Sequence, residues 1–168
     1  MNNNLESETI KKLKLQAKKS EQDTKKLFQK WKKQPPRNLD IVIQEIHEEV
    51  FEVTDCLQCA NCCKTTSPIF YDRDIDRIAK FLKVKPKQFI DTYLHIDEDG
   101  DYVLNLAPCS FLNEDNTCSI YHHRPAACRE YPHTDRKRFH QILDLTLKNT
   151  FICPAAYQIV EKLKTALS

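Results

Sequence analysis

Cys56, Cys59, Cys62 and Cys63 crowd the stretch CLQCANCC, and Cys109, Cys118, Cys128 and Cys153 follow further along the chain. Thiolates are soft ligands that suit zinc and iron–sulfur clusters. Steps of three from Cys56 to Cys59 to Cys62 let a tight loop turn three sulfurs toward one point. This is the opening of the ferredoxin run C-x2-C-x2-C-x3-C-P. The fourth position of that run is missing, since Lys64 follows Cys63, but Cys153-Pro154 supplies a remote cysteine before proline. One expectation is therefore a four-thiolate site from Cys56, Cys59, Cys62 and a distant partner.

Cys63 is a separate matter. Adjacent side chains do not share a face, so Cys62 and Cys63 are not expected to serve one four-coordinate centre together, and Cys63 points to a second site or a bridging role. Cys109, Cys118 and Cys128 are the candidates to complete it. A zinc ribbon needs two C-x2-C knuckles, and only the first half of the chain has one. The radical S-adenosylmethionine spacing C-x3-C-x2-C also fails, because Thr66 stands where its third cysteine belongs. Several thiolates around one centre leave negative charge that calls for cations or amide donors. Arg124 and Arg129, flanking Cys128, are the candidates for that role. Tyr121 and Tyr131 read as core aromatics, and His122, His123 and His133 as bystanders, since eight cysteines already suffice for two sites.

The elements that must position these residues are mostly helical. Ile10, Leu13, Ala17, Leu27 and Trp31 recur at helical steps, with Ser20 and Thr24 as interruptions, and Pro35-Pro36 ends the helix. Asn38 caps a second helix whose stripe of Leu39, Val42, Ile43, Ile46, Val50 and Val53 leads to Cys56. His47 on that helix reads as a surface or satisfied histidine. Asp72 is placed as the cap of a third helix with Ile75, Ile78, Ala79 and Leu82 inside, and Pro86 in the first turn of a fourth that runs through Leu94. DEDGDYVLNL offers a turn at Gly100 and a short strand, and CSFL and CSIY suggest two more strands around a turn. Pro154 opens a last helix with Tyr157, Val160, Leu163 and Leu167 inside, and Lys162 and Lys164 in water. No internal repeat is apparent.

Composition narrows the function. Residues 1–37 hold eleven Lys and Arg against four Asp and Glu, near +7, which leaves the remainder near −5. The lysines follow the polar side of a helix without interleaved aromatics, so they read as a solvated face and nucleic acid is not expected as a partner. A single glycine, Gly100, excludes standard dinucleotide folds and phosphate loops. There is no secretory signal and no segment of membrane-spanning length, which places the chain in the cytoplasm, where clustered thiols hold metal rather than disulfides.

Taken together, CLQCANCC, PCSFL, CSIY, RPAACREYP and the final CP resemble the YkgJ-type cysteine-cluster family, a zinc- or iron-chelating domain, over residues 50–160. The resemblance implies that Cys56, Cys59, Cys62, Cys63, Cys109, Cys118, Cys128 and Cys153 are its metal ligands, and that Arg124-Pro125 is its Arg-Pro pair. Many members carry glycine after the second cysteine and in the turn after the third helix, where this chain has Ala60 and Lys83. The expected fold is α+β: a small, mainly helical domain over 38–168 with a short antiparallel β element, organised around the cysteines, and a basic amphipathic helical extension over 1–37. An iron–sulfur cluster of the [4Fe-4S] type is favoured over zinc, in a redox or accessory enzyme component. The alternative is a zinc-stapled module for protein or nucleic-acid interaction. The residues name no catalytic group, substrate or partner protein.

Overall fold

The computed structural model describes residues 7–168; residues 1–6 of the expected extension lie outside them. In chain order the helices are α1 (Glu8–Lys33), α2 (Leu39–Glu52), α3 (Cys56–Cys59), α4 (Asn61–Thr65), α5 (Asp72–Phe81), α6 (Pro86–Tyr93), α7 (Ala126–Glu130), α8 (Leu143–Asn149) and α9 (Pro154–Ala166). Two short strands, β1 (Leu94–Ile96) and β2 (Tyr102–Leu104), pair antiparallel with Leu94 opposite Leu104. This is the mainly helical α+β architecture that the sequence implies. The chain divides into two compact units, Cys56–Tyr131 on one hand and Pro132–Ser168 with the chain up to Asp55 on the other.

The unit that holds α1, α2, α8 and α9 is helical. Phe28 and Trp31 of α1, Leu39, Ile43 and Val50 of α2, Phe139 and Leu143, and Ala155, Ile159 and Leu163 of α9 form one buried cluster. Removing each such side chain from water contributes about 1.5–3 kcal/mol. α1 is thus a wall of this core, packed on α8 and α9. Ser7 caps it by accepting from the Ile10 amide, and Gln34, before Pro35, ends it. Thr24, an interruption by its chemistry, is 2% exposed. Its hydroxyl donates to the Ser20 carbonyl at 2.9 Å and accepts from Lys164 Nζ at 3.1 Å. Lys164 is therefore tucked against α1 and paired with Glu161, not left in water as expected.

Other details also differ from expectation. Val53, expected in the α2 stripe, lies past the end of the helix and is 84% exposed. Asn38 makes no side-chain cap; its carbonyl accepts from the Ile41 and Val42 amides instead. The inner face of α9 turns toward Ala156 and Ile159, leaving Tyr157 and Leu167 half-buried. The segment after Tyr131 supplies α8, whose Leu143, Leu145 and Leu147 alternate with polar residues instead of recurring at helical steps. His47 is satisfied, as expected, by a 2.7 Å hydrogen bond with Thr134.

The central unit packs Phe70, Ile75, Ile78, Ala79, Phe89, Leu94, Leu104, Phe111 and Ile120 into a second core. Phe89 lies between Phe70 and Phe111, with ring centroids 6.1 and 6.2 Å away. Asp72 is the first residue of α5 rather than its cap, which is Tyr71. Gly100, at φ +87°, turns the chain between β1 and β2, so the expected single strand is a hairpin. CSFL and CSIY do not form strands. They meet in one isolated bridge, Leu112 with Cys118, around a turn in which the Asn113 amide donates to Thr117.

Lys83 closes α5 in the left-handed conformation at φ +58°, and the Val84 amide donates back to the Ala79 carbonyl at 3.0 Å. This is the helix-end geometry that glycine serves without steric cost. Lys83→Gly is expected to stabilise the protein by about 1 kcal/mol, read as a higher denaturation midpoint; a lower midpoint would show that the lysine side chain contributes more than the backbone strain removes.

Candidate metal centre

The CLQCANCC segment folds as two consecutive helical turns. Cys56 and Cys59 begin and end α3, and Cys62 and Cys63 lie in α4. Between them Ala60 takes the left-handed conformation at φ +45°. As at Lys83, a residue with a side chain occupies a backbone position that favours glycine. The bend is held by backbone bonds from Ala60 to Cys56 at 2.8 Å and from Lys64 to Ala60 at 3.1 Å. Thr65 and Thr66 return their hydroxyls to the Asn61 and Cys62 carbonyls.

Two contacts bring the later cysteines to this bend. The Cys109 amide donates to the Cys63 carbonyl at 2.8 Å. The Asn116 side chain donates to the Leu57 carbonyl at 2.8 Å. Cys109 and Cys118 each stand two residues before an anchor of the second core, Phe111 and Ile120, and both cysteines pack against that core. In each Cys-Ser-apolar triplet the amide two residues on points back at the sulfur. The Phe111 amide reaches Cys109 Sγ at 3.4 Å, and the Ile120 amide does the same for Cys118. The repeat CSF and CSI, nine residues apart, was the sequence signal for this arrangement.

Cys128 arrives on α7, placed by a clamp that the sequence reading missed. Asp74 is 2% exposed and accepts from Arg77 Nη2 at 2.6 Å and from the Ala126 amide at 3.2 Å. Arg77 Nη2 also donates to the Arg124 carbonyl at 2.8 Å. Arg129 bonds the same carbonyl at 2.7 Å. The Arg124 guanidinium lies 3.7 Å from the centroid of the Tyr121 ring and donates through Nε to the Tyr121 carbonyl.

These sulfurs sense one another. A hydrogen bond from Cys62, with help from Arg124 and Lys64, outweighs burial and lowers the Cys63 pKa to about 7. The thiols of Cys62 and Cys63, adjacent in the chain, are thus hydrogen-bonded to each other. Burial, reinforced by the charge of Cys63, raises Cys109 and Cys118. Cys128 is pushed up to about 12, chiefly by burial and then by Cys63, Cys109 and Cys118. Arg124 opposes the rise at Cys118 and Cys128.

Cys63, Cys109, Cys118 and Cys128, from four separate segments, thus form one electrostatic group. Such a donor set, half-buried and backed by an arginine and two amides, fits a thiophilic cation or cluster. As the thiols stand, no three His, Cys, Asp or Glu side chains among the described residues gather closely enough to hold a metal ion. A change of one staggered well at a cysteine swings its sulfur by about 3 Å. Cys153 belongs to the other unit, where it precedes Pro154 and packs against the first core. His123 stacks on Phe81 at 4.2 Å, and His122 meets the Tyr121 ring edge-on.

The family model described as "CxxCxxCC: Putative zinc- or iron-chelating domain" matches residues 55–149, more than half of the chain. The protein belongs to the CxxCxxCC family. Seven of its cysteines lie within the matched CxxCxxCC residues, and Cys153 falls just beyond them. No curated protein and no solved structure matches the chain.

Thiolate is the reactive form of cysteine, so a lowered pKa means alkylation at lower pH. In metal-free protein, iodoacetamide is expected to label Cys63 with a rate that rises through about pH 7, as its pKa implies, while Cys128 stays slow into alkaline solution. Parallel labelling of both at one pH would contradict the arrangement. Asp74→Ala, which unties the segment carrying Arg124 and Cys128, is expected to cost about 3 kcal/mol, measured by denaturant unfolding.

Proposed function

We propose that the protein carries an iron–sulfur cluster of the [4Fe-4S] type and works as a redox or accessory component of an enzyme system. The observation behind this reading is the meeting of Cys63, Cys109, Cys118 and Cys128 in one electrostatic group, with Cys62 bonded to Cys63. One zinc ion takes four ligands, whereas the central unit contributes seven cysteines. The C-x2-C-x2-C start of the run also favours the cluster over zinc.

Cys63, Cys109, Cys118 and Cys128 would hold one centre, and Cys56, Cys59 and Cys62, the C-x2-C-x2-C run, would supply further thiolate ligands from the same bend. A bound cluster supplies one-electron chemistry. The chain's own residues prepare for negative charge on sulfur: Arg124 faces Cys63, Cys118 and Cys128, and the Phe111 and Ile120 amides point at Cys109 and Cys118. Phe111 and Ile120, both buried, limit water on the core side.

Protein purified without oxygen is expected to contain iron and acid-labile sulfide and to absorb broadly near ~400 nm. Cys63→Ser and Cys128→Ser are each expected to lose most of both. Arg124→Gln is expected to lower the reduction potential, because the reduced centre is more negative and loses a neighbouring cation. Colourless protein with stoichiometric zinc and no sulfide would overturn the cluster and favour a zinc-stapled interaction module.

A further inference from the structure

The register of α1 exposes a repeat that composition conceals. Lys11-Lys12, Lys18-Lys19, Lys25-Lys26 and Lys32-Lys33 recur every seven residues. The residue before each pair, Ile10, Ala17, Thr24 or Trp31, is buried. Each pair therefore emerges beside a core anchor, and all eight lysines are exposed. At 1.5 Å per residue the ladder is about 33 Å long.

The two rows differ. In the first, Lys11 pairs with Glu8, Lys18 with Glu21 and Lys32 with Asp144 of α8, while Lys25 has no acidic partner among the described residues. In the second, Lys12, Lys19, Lys26 and Lys33 have no acidic partner among the described residues. A seven-residue row drifts about 20° per step on a straight helix, which carries the second row from the edge of α1 toward its solvent-facing centre. Near the end of the ladder stands exposed Arg37. Exposed Arg136, Lys137 and Arg138 lead into the 3-10 turn Phe139–Ile142, which packs on α1. That segment is fixed by the Arg138 and Phe139 amides donating to the Asp40 carboxylate at 2.7 and 3.0 Å.

We propose that this ladder binds the phosphodiester backbone of a nucleic acid without reading its bases. A row of lysines without ion pairs on a helix docked into the core complements a linear polyanion, and about 33 Å matches roughly one turn of duplex. Lysine is a compact point charge suited to phosphate. The missing aromatics, which speak against base stacking, do not bear on backbone contact. An anionic membrane fits less well. A helix that lies in a membrane inserts its apolar face, whereas Phe28 and Trp31 of α1 are buried in the core. Asp23 stands on the face of the second row, four residues after Lys19 and three before Lys26, without an ion pair to either among the described residues.

The test uses full-length protein and three probes: a labelled DNA duplex of about 24 base pairs, a single-stranded RNA of similar length, and phosphatidylserine vesicles, with salt titrated upward from about 50 mM. Binding to DNA or RNA is expected, indifferent to sequence, with a log–log salt slope of about −4 on duplex. The variant Lys12→Gln/Lys19→Gln/Lys26→Gln/Lys33→Gln is expected to weaken binding at least tenfold and flatten the slope by about 3, with unchanged helicity and melting. The counterpart Lys11→Gln/Lys18→Gln/Lys32→Gln is expected to lose less than threefold. No binding at low salt, equal loss from both rows, or preference for vesicles over both nucleic acids would overturn the proposal.

Discussion

Half-buried sulfurs that share one small space cannot all carry charge, and the central unit is built around that constraint. Desolvation disfavours each thiolate, and each thiolate disfavours the next. At Cys63 local bonding outweighs burial, because Cys62 and two cations act on it together. Cys128, the most deeply affected, is held protonated by the same burial that positions it. A set of thiols so arranged is a poor place for several anions and a good one for a cation that neutralises them.

Other features of this unit are means of bringing four chain segments to that place. The Cys109–Cys63 backbone bond joins the second cysteine segment to the bend of the first. The aromatic core anchors Cys109 and Cys118 through Phe111 and Ile120. Asp74 and Arg77 hold the segment before Cys128 by its backbone, so that Arg124 keeps its side chain for the Tyr121 ring and the sulfurs. Arg129, which the sequence suggests as a partner of the cysteines, donates to the Arg124 carbonyl.

In the other unit one helix serves two surfaces. The seven-residue spacing of α1 places Ile10, Ala17, Thr24 and Trp31 in the core and a pair of lysines just outside it at every second turn. Thr24 tolerates burial because its hydroxyl is satisfied within the helix and by Lys164. Read for hydrophobicity alone, Thr24 breaks the stripe and hides the repeat.

Local chemistry was legible in the chain itself: the helices with strong apolar periodicity, the stops at Pro35 and before Pro154, the Gly100 turn, and the cysteine spacing that carries the family. These depend on interactions within a few residues, which the order of side chains determines directly. Only the tertiary structure decided that CSFL and CSIY are anchored turns rather than strands, that Lys164 is tucked in against Thr24, and that Asp74 and Arg77 position Arg124. Those outcomes depend on which segments meet across dozens of residues, and on burial, which sets both the charge of a thiol and the worth of a hydrogen bond. Neither quantity exists until the chain has folded.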